Sequence, residues 1–148
     1  MTGIKINDEE PIFTISAAAK LLDISVPTLR LYEKEDLFIP FKTITRQRLF
    51  SKSDIARIIC IRRLINELKI GINGIKILYS FIPCWGIKGC NSEGKEKCNA
   101  YSEGGKPCWA FKPSDFKSSE CRNCGVYKKY SECCSIKEAV KIFSVQSA

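Results

Sequence analysis

Residues 24–34 read ISVPTLRLYEK, and this stretch decides the fold of the first half of the chain. Ser25 is of the residue type that caps helices, and Pro27 is tolerated in a first helical turn. The stretch therefore predicts a helix over the residues that follow Ser25. Upstream, Ser16 is expected to cap a shorter helix to about Leu22, and a tight break separates the two. Two short helices spaced so closely predict a helix-turn-helix.

The residues after this pair predict a wing and two more helices. Leu37–Phe50 alternates apolar and polar residues around a proline, which favours a two-stranded β-wing. Ser51-Lys52-Ser53-Asp54 is typical of the start of a third helix. Gly71 is expected to stop that helix, Asn73 to cap a fourth, and Pro83 to end the fourth.

The third predicted helix carries apolar residues at helical spacing. They are Ile55, Ile58, Ile59, Ile65 and Leu68. We expect Ile55, Ile59 and Leu68 to lie in the core. Cys60 stands among these isoleucines, and we expect it to be a small buried hydrophobe and not a metal ligand.

Composition bounds the class of protein. The 148 residues include 24 Lys and Arg, 16 Asp and Glu, nine Cys and no His, which gives a net charge of +8. The basic excess is shared equally by residues 1–82 and 83–148, and it favours a polyanionic partner. The polar, acidic residues 1–11 do not look like a signal peptide, and no apolar run reaches the length of a membrane span. We therefore expect a cytoplasmic protein that makes no membrane contact, in which reduced cysteines serve as metal ligands.

Several short motifs keep a characteristic order along residues 12–81. They are Thr14-Ile15-Ser16, the stretch 24–33, Leu37 with Pro40, Arg48-Leu49-Phe50-Ser51, Asp54-Ile55 and Ile61-Arg62-Arg63-Leu64. In these residues the chain resembles the N-terminal domain of the MerR family of bacterial transcriptional regulators. The resemblance implies a winged helix-turn-helix that binds double-stranded DNA, in a protein that forms a homodimer.

The same resemblance, together with the way in which such domains bind the grooves of DNA, indicates which residues contact DNA. A recognition helix enters the major groove, and basic residues on the helix and wing contact phosphates. The candidates are Ser16, Thr28, Arg30, Tyr32, Arg46 and Arg48. Tyr32 is either a phosphate contact or an aromatic that packs the helix, and the alternative for the arginines is solvated surface charge.

The chain departs from the family pattern in particular places. Leu31 stands where an aromatic or polar contact is common, and Phe50 replaces a tyrosine that would donate to phosphate. Thr43-Ile44-Thr45 stands where the wing tip has two glycines. Pro83-Cys84 comes at once after the fourth helix, where the family has a long dimerisation helix. The mode of dimerisation therefore stays open.

The second half of the chain is rich in cysteine. Its thiols are Cys84, Cys90, Cys98, Cys108, Cys121, Cys124, Cys133 and Cys134. Because the chain has no histidine, a metal site must consist largely of thiolates, which suits zinc or an iron–sulfur cluster. The spacing fits either, and the close pair Cys121 and Cys124 is typical of zinc sites. Cys133 and Cys134 are adjacent, so we expect at most one of them to be a ligand.

A duplicated element recurs within this half. Pro83-Cys84-Trp85 and Pro107-Cys108-Trp109 repeat the same three residue types. Together with Cys90, Cys98 and residues 121–127, they resemble a Cys-Trp module of signalling proteins in anaerobic bacteria. The tryptophans are expected to cover the site and exclude water.

These patterns together predict a mainly α protein with two parts. Residues 12–82 form a winged helix-turn-helix head of four helices and a short β-wing, and residues 83–148 form a small, irregular, metal-stabilised module with a short helix at Ile136–Phe143. The function indicated is a sequence-specific transcriptional regulator that responds to metal, redox state or oxygen. The alternative is an excisionase-like or architectural DNA-binding protein with a purely structural zinc tail. Catalysis is not expected, because Cys121-x-x-Cys124 has no βαβ context and no histidine or paired carboxylates assist it.

Overall fold

The fold was analysed in a computed structural model that describes residues 7–82, 84, 98–113 and 116–130. In the head the elements are β1 (Phe13–Thr14), α1 (Ile15–Leu22), α2 (Val26–Lys34), β2 (Phe41–Lys42), β3 (Arg48–Phe50), α3 (Lys52–Asn66) and α4 (Ile72–Ser80). The tail contains α5 (Asn99–Ser102), a 3-10 turn (Cys108–Phe111), a π-helical turn (Lys117–Cys121) and α6 (Gly125–Tyr130). The described chain is therefore mainly helical, as predicted.

Helices α1 and α2 form the predicted helix-turn-helix. Ser25 caps α2 as expected, and its hydroxyl accepts a hydrogen bond from the Thr28 N–H. The expected cap of α1 is wrong, because Thr14 and not Ser16 caps it by accepting from the Ala17 N–H. Asp23 ends α1 in the left-handed region, at φ 54°, where a short polar side chain is tolerated better than a bulky one.

The β-structure is larger by one strand than the predicted wing. It is a three-stranded antiparallel sheet in the order β1-β3-β2, with Phe13 opposite Phe50 and Phe41 opposite Leu49. The two-stranded prediction missed β1, because two residues are too few to show an alternating pattern. The sheet places the wing beside the start of α1.

Helix α3 begins with the capping box that the sequence predicts. The Ser51 hydroxyl accepts from the Asp54 N–H at 3.1 Å, and the Asp54 carboxylate accepts from the Ser51 N–H at 2.8 Å. The buried residues of α3 are Asp54, Arg57, Ile58, Ile61 and Leu64. This face differs from the predicted one.

Three expectations for the third helix were wrong. Ile59 is 55% exposed and Leu68 is 61% exposed, whereas Ile55 packs partly buried against the core. The buried face is displaced because two charged residues, Asp54 and Arg57, occupy it. Cys60 is half-buried and disulfide-bonded, and it is therefore not a small buried hydrophobe.

Helix α4 also differs from the prediction at its start. Its N-cap residue is Gly71, with no side-chain hydrogen bond at the cap, so Asn73 is not the cap. The predicted helix at Ile136–Phe143 lies outside the described residues. Within the residues that the structure describes, no helix is both long enough and apolar enough to cross a membrane.

Head and tail share one hydrophobic core. Trp109, Val126 and Tyr127 of the tail are each at most 2% exposed, and they belong to the same buried cluster as Leu29 and Ile58 of the head. Segments with thin cores of their own gain stability by such sharing. The cysteine-rich segment is therefore packed on the head.

Candidate DNA-binding face and cysteine cluster

A groove of about 470 Å³ brings together residues from the sheet, α1, α2 and the wing. Its lining includes Ser16, Arg30, Arg46 and Arg48, four of the six residues that the sequence indicates for DNA binding. Ser16 lies in the first turn of α1, Arg30 lies on α2, and Arg46 and Arg48 lie in the wing. Three guanidinium groups around one groove suit phosphate oxygens.

Arg46 and Arg48 reach this groove in different ways. Arg46 is exposed and has a φ of 65°, within a turn closed by hydrogen bonds between Thr43 and Gln47. Arg48 is half-buried, and its Nε lies 2.7 Å from a carboxylate oxygen of Glu33. Glu33 therefore partly neutralises Arg48 and fixes the base of the wing against α2.

Thr28 and Tyr32 do not line this groove. The Thr28 hydroxyl lies 2.7 Å from the Ser25 hydroxyl and takes part in the cap of α2. Tyr32 is 3% exposed, and its hydroxyl accepts from Arg62 at 3.2 Å. Of the two interpretations of Tyr32, the structure supports the packing aromatic.

The tail contacts the loop that joins α2 to β2. The indole Nε1 of Trp109 donates to the Asp36 carbonyl at 2.7 Å, and Lys117 forms an ion pair with the Asp36 carboxylate. Trp109 also packs between Tyr79 and Tyr127, with ring centroids 5.7 Å and 5.1 Å away. An aromatic cluster of this kind supplies both buried area and a specific geometry.

Arg122 makes the deepest polar contact between tail and head. Its guanidinium donates to both carboxylate oxygens of Asp54 at 2.8 Å, and also to the Ile39 carbonyl. Burial alone would lower the pKa of Arg122, but the hydrogen bonds and charge of Asp54 outweigh it and raise that pKa. Arg122 therefore stays charged. A bidentate pair of this geometry is the strong form of such a contact.

Tyr127 joins the same network from α6. Its hydroxyl accepts from the Ile39 N–H at 2.7 Å, and the Arg57 guanidinium lies 4.0 Å from its ring centroid. Burial raises the pKa of Tyr127 above its ordinary value, and the negative charge of Asp54 adds to the shift. The hydroxyl therefore stays neutral and keeps its hydrogen bond to Ile39, in the loop between α2 and β2.

Four thiols gather beside this aromatic cluster. Cys84, Cys108, Cys121 and Cys124 are half-buried, take part in no disulfide bond and pack against the shared core. The pKa of Cys108 is raised far above its ordinary value. The causes are a hydrogen bond with the Cys84 thiol, burial, and the charges of Cys84, Cys121 and Cys124. A bound cation would reverse that effect, because it favours thiolates.

The remaining predicted ligands lie elsewhere. Cys98 is half-buried, also takes part in no disulfide bond, and is the N-cap residue of α5, which contacts the 3-10 turn at Cys108–Phe111. Cys90, Cys133 and Cys134 fall outside the described residues. In the part of the chain that the structure describes, no three or more Cys, Asp or Glu side chains are already spaced as ligands of one metal ion. The donor set of four thiols nevertheless fits a thiolate-bound metal in its chemistry.

Sequence reasoning missed the network around Asp54. The sequence indicated Asp54 only as part of the start of α3. It indicated Arg122 only as a residue between Cys121 and Cys124. One signal was present, because Arg57 lies three residues after Asp54 and so on the same helix face. Nothing local in the sequence pairs Asp54 with a residue 68 positions away.

The order of elements and the basic groove define a winged helix-turn-helix, a class of DNA-binding domain. Comparison with known families agrees, since residues 13–81 match the MerR HTH family of regulatory proteins. Residues 13–81 therefore form a MerR-type helix-turn-helix head.

Among curated proteins, the chain is 32% identical over 72 residues to HspR of Streptomyces coelicolor, described as a heat shock protein. The match covers 49% of this chain and 48% of that protein, so the chain spans about half the length of the relative. No solved structure matches.

Proposed function

We propose that the protein is a transcriptional regulator that binds double-stranded DNA as a homodimer and responds to metal, redox state or oxygen through its cysteine-rich tail. The MerR-type head and the groove that contains Arg30 and Arg46 support the DNA-binding part. Apolar side chains left in water on α4 and just beyond it, Ile77 and Phe81, are consistent with a second copy that covers them.

The regulatory part rests on one observation: the tail residues that contact the head lie close in sequence to cysteines. Trp109 directly follows Cys108, and Arg122 directly follows Cys121. Tyr127 comes three residues after Cys124. A metal that reorients these cysteines would therefore also move the side chains that hold the head.

The position of those contacts gives the response a route to DNA. Trp109, Arg122 and Tyr127 hold backbone groups of Asp36 and Ile39, within the loop between the recognition helix α2 and the wing. Releasing the loop would change the position of Arg30 on α2 relative to Arg46 on the wing. Because phosphate contacts fix register on the duplex, such a change would weaken binding.

The test is an anisotropy titration of a DNA duplex selected from a random library by metal-loaded protein. The affinity of loaded and chelated protein is compared at fixed salt, and we expect a change of about 5–150-fold. Arg122→Met should shrink this difference, whereas the exposed Arg63→Met should preserve it. A change below about twofold in chelated protein that has lost its metal would contradict the regulatory part, and would favour an accessory protein with a structural zinc tail.

A further inference from the structure

A second cleft, of about 400 Å³, lies where the tail meets the recognition helix α2 and the wing. On the tail side it is lined by Lys117 and Ser118, which begin the π-helical turn. On the head side its lining includes the buried loop residues 38–40. Arg30 and Arg48 line both this cleft and the groove of about 470 Å³, so the cleft adjoins the groove.

The side chains around the cleft carry an excess of positive charge. Among the described residues that line it, five are basic and two are acidic. The basic ones are Arg30, Lys34, Lys42, Arg48 and Lys117, and the acidic ones are Glu33 and Asp36. A cleft with one dominant sign of charge and a partly apolar wall focuses the electrostatic field within it. This cleft therefore attracts anions.

The two carboxylates fix three of the basic side chains. A carboxylate oxygen of Glu33 lies 2.7 Å from Arg48 Nε, and the other lies 3.7 Å from Lys42 Nζ. Asp36 forms an ion pair with Lys117 on the tail side. An ammonium group has three N–H donors, so Lys117 can donate to Asp36 and to a further acceptor together.

Two basic side chains of α2 are not neutralised in this way. Arg30 and Lys34 are exposed, and they lie four residues apart, on one face of the helix. Neither forms an ion pair with any residue that the structure describes. Their charges are therefore available to an anion that is not part of the chain.

We infer that a backbone phosphate of bound DNA lies in this cleft, between Lys34 of α2 and Lys117 of the tail. The inference rests on the DNA-binding part of the proposed function and extends it, because it makes the tail a part of the DNA interface. DNA is the occupant because the cleft adjoins the proposed DNA groove at Arg30. A strand carries a phosphate at every nucleotide, so a strand in the groove brings further phosphates to its edge.

A phosphate contact from the tail has a definite signature. Such contacts position the protein on the duplex and carry no sequence information. Loss of the contact should therefore weaken binding to all duplexes by about the same factor, and it should reduce the salt dependence of binding. The contacts of Trp109, Arg122 and Tyr127 differ, since they act on DNA only through the loop between α2 and β2.

The experiment compares the full chain with Lys117→Gln, with Asp36→Asn and with the double variant that carries both changes. The double variant keeps the net charge of the wild type and leaves neither member of the ion pair without its partner. Asn suits position 36, where φ is 60°, because Asn and Asp are the residues other than Gly that best tolerate this region. Lys112→Gln is the matched control, because Lys112 is an exposed lysine of the tail that does not line the cleft.

DNA affinity is measured by anisotropy at several salt concentrations, on a duplex selected from a random library and on a scrambled duplex. Lys117→Gln and the double variant should each lower the slope of log affinity against log salt by about 0.9, so that a tenfold rise in salt weakens them roughly eightfold less than the wild type. Asp36→Asn and Lys112→Gln should keep the wild-type slope. The ratio of the affinities for the two duplexes should be the same in every variant. Circular dichroism checks that all variants are folded.

Ethylation of single phosphates locates the contact on the duplex. In the wild type, one phosphate in each half-site should be found whose ethylation weakens binding but has no effect on the double variant. Lys112→Gln should show the wild-type pattern.

Three results would overturn the inference. In the first, the double variant keeps the wild-type slope and ethylation pattern, so that only net charge matters. In the second, calorimetry shows that inorganic phosphate binds through Lys117 while the DNA slope does not depend on this residue, so that the cleft takes a free anion. In the third, Lys117→Gln matches Lys112→Gln in a protein that binds DNA, and the proposed function then stands without this contact. If the wild type binds no duplex, the DNA-binding part of the proposed function fails and this inference fails with it.

Discussion

Replacing Arg122 by methionine tests whether the tail is an integral part of the fold. Asp54 is 1% exposed and Arg122 is 8% exposed, and two hydrogen bonds of 2.8 Å join them. Methionine keeps much of the apolar volume but leaves Asp54 without its bidentate partner. Breaking a buried pair by removing one member typically costs about 3–5 kcal/mol.

The magnitude should fall at the lower end of that range. Asp54 retains Arg57, whose Nη1 lies 3.6 Å from one carboxylate oxygen, and it retains the hydrogen bond from the Ser51 N–H. We therefore expect a loss of about 3 kcal/mol in the free energy of unfolding. For a chain of this size, about 2–4 °C per kcal/mol converts this into a fall of roughly 6–12 °C in Tm.

The assay is urea and thermal unfolding followed by circular dichroism, with all variants in the same metal state. Arg63→Met is the control, because Arg63 forms an exposed ion pair with Glu67 that is worth about 0.5 kcal/mol or less. A cycle with Asp54→Asn should give a coupling energy above about 1 kcal/mol. If Arg122→Met is no more destabilising than Arg63→Met, the tail is not held through Asp54.

Two further predictions concern the groove and the hydroxyl of Tyr127. Arg30→Ala and Arg46→Ala should each lower the slope of log affinity for DNA against log salt by about 0.9. The control Arg63→Ala should leave that slope unchanged. Equal slopes in all three variants would mean that the groove does not face DNA. Tyr127→Phe should cost about 1–3 kcal/mol of unfolding free energy at pH 8, because it leaves the Ile39 N–H without its acceptor. The pKa of Tyr127 is raised in the folded state, so its stabilisation is complete below pH 10 and declines above it. The stability gap between wild type and Tyr127→Phe should therefore narrow above pH 10, and a gap that widens would contradict the neutral buried hydroxyl.

The head was largely predictable because its signals are local. The cap at Ser25, the capping box of Ser51 with Asp54 and the alternation before Phe50 each act within a few residues, and the structure confirms the elements they start or end. The cap of α1 was misplaced by two residues because Thr14 and Ser16 are both of residue types that cap helices. Only the strand pairing at β1 selects Thr14.

The buried face of α3 was not predictable from periodicity. A helical pattern counts apolar residues, and it therefore assigned Ile59 and Leu68 to the core. The residues actually buried include Asp54 and Arg57, whose desolvation is offset by Arg122 and by the ring of Tyr127. Those partners lie about 70 positions away, so no local pattern contains them.

The packing of the tail bears on how the loop beside the recognition helix α2 is held. The loop between α2 and β2 connects the recognition helix to the wing, and its carbonyl and N–H groups at Asp36 and Ile39 are bonded to Trp109, Arg122 and Tyr127. Arg30 precedes this loop in the chain and Arg46 follows it, so the loop connects the two elements that line the groove. The tail therefore contacts the loop that sets the position of α2 relative to the wing. Each of its three contacts is one to three residues from a thiol, so under the proposed function a change at the thiols would act over a short distance on the loop between α2 and the wing.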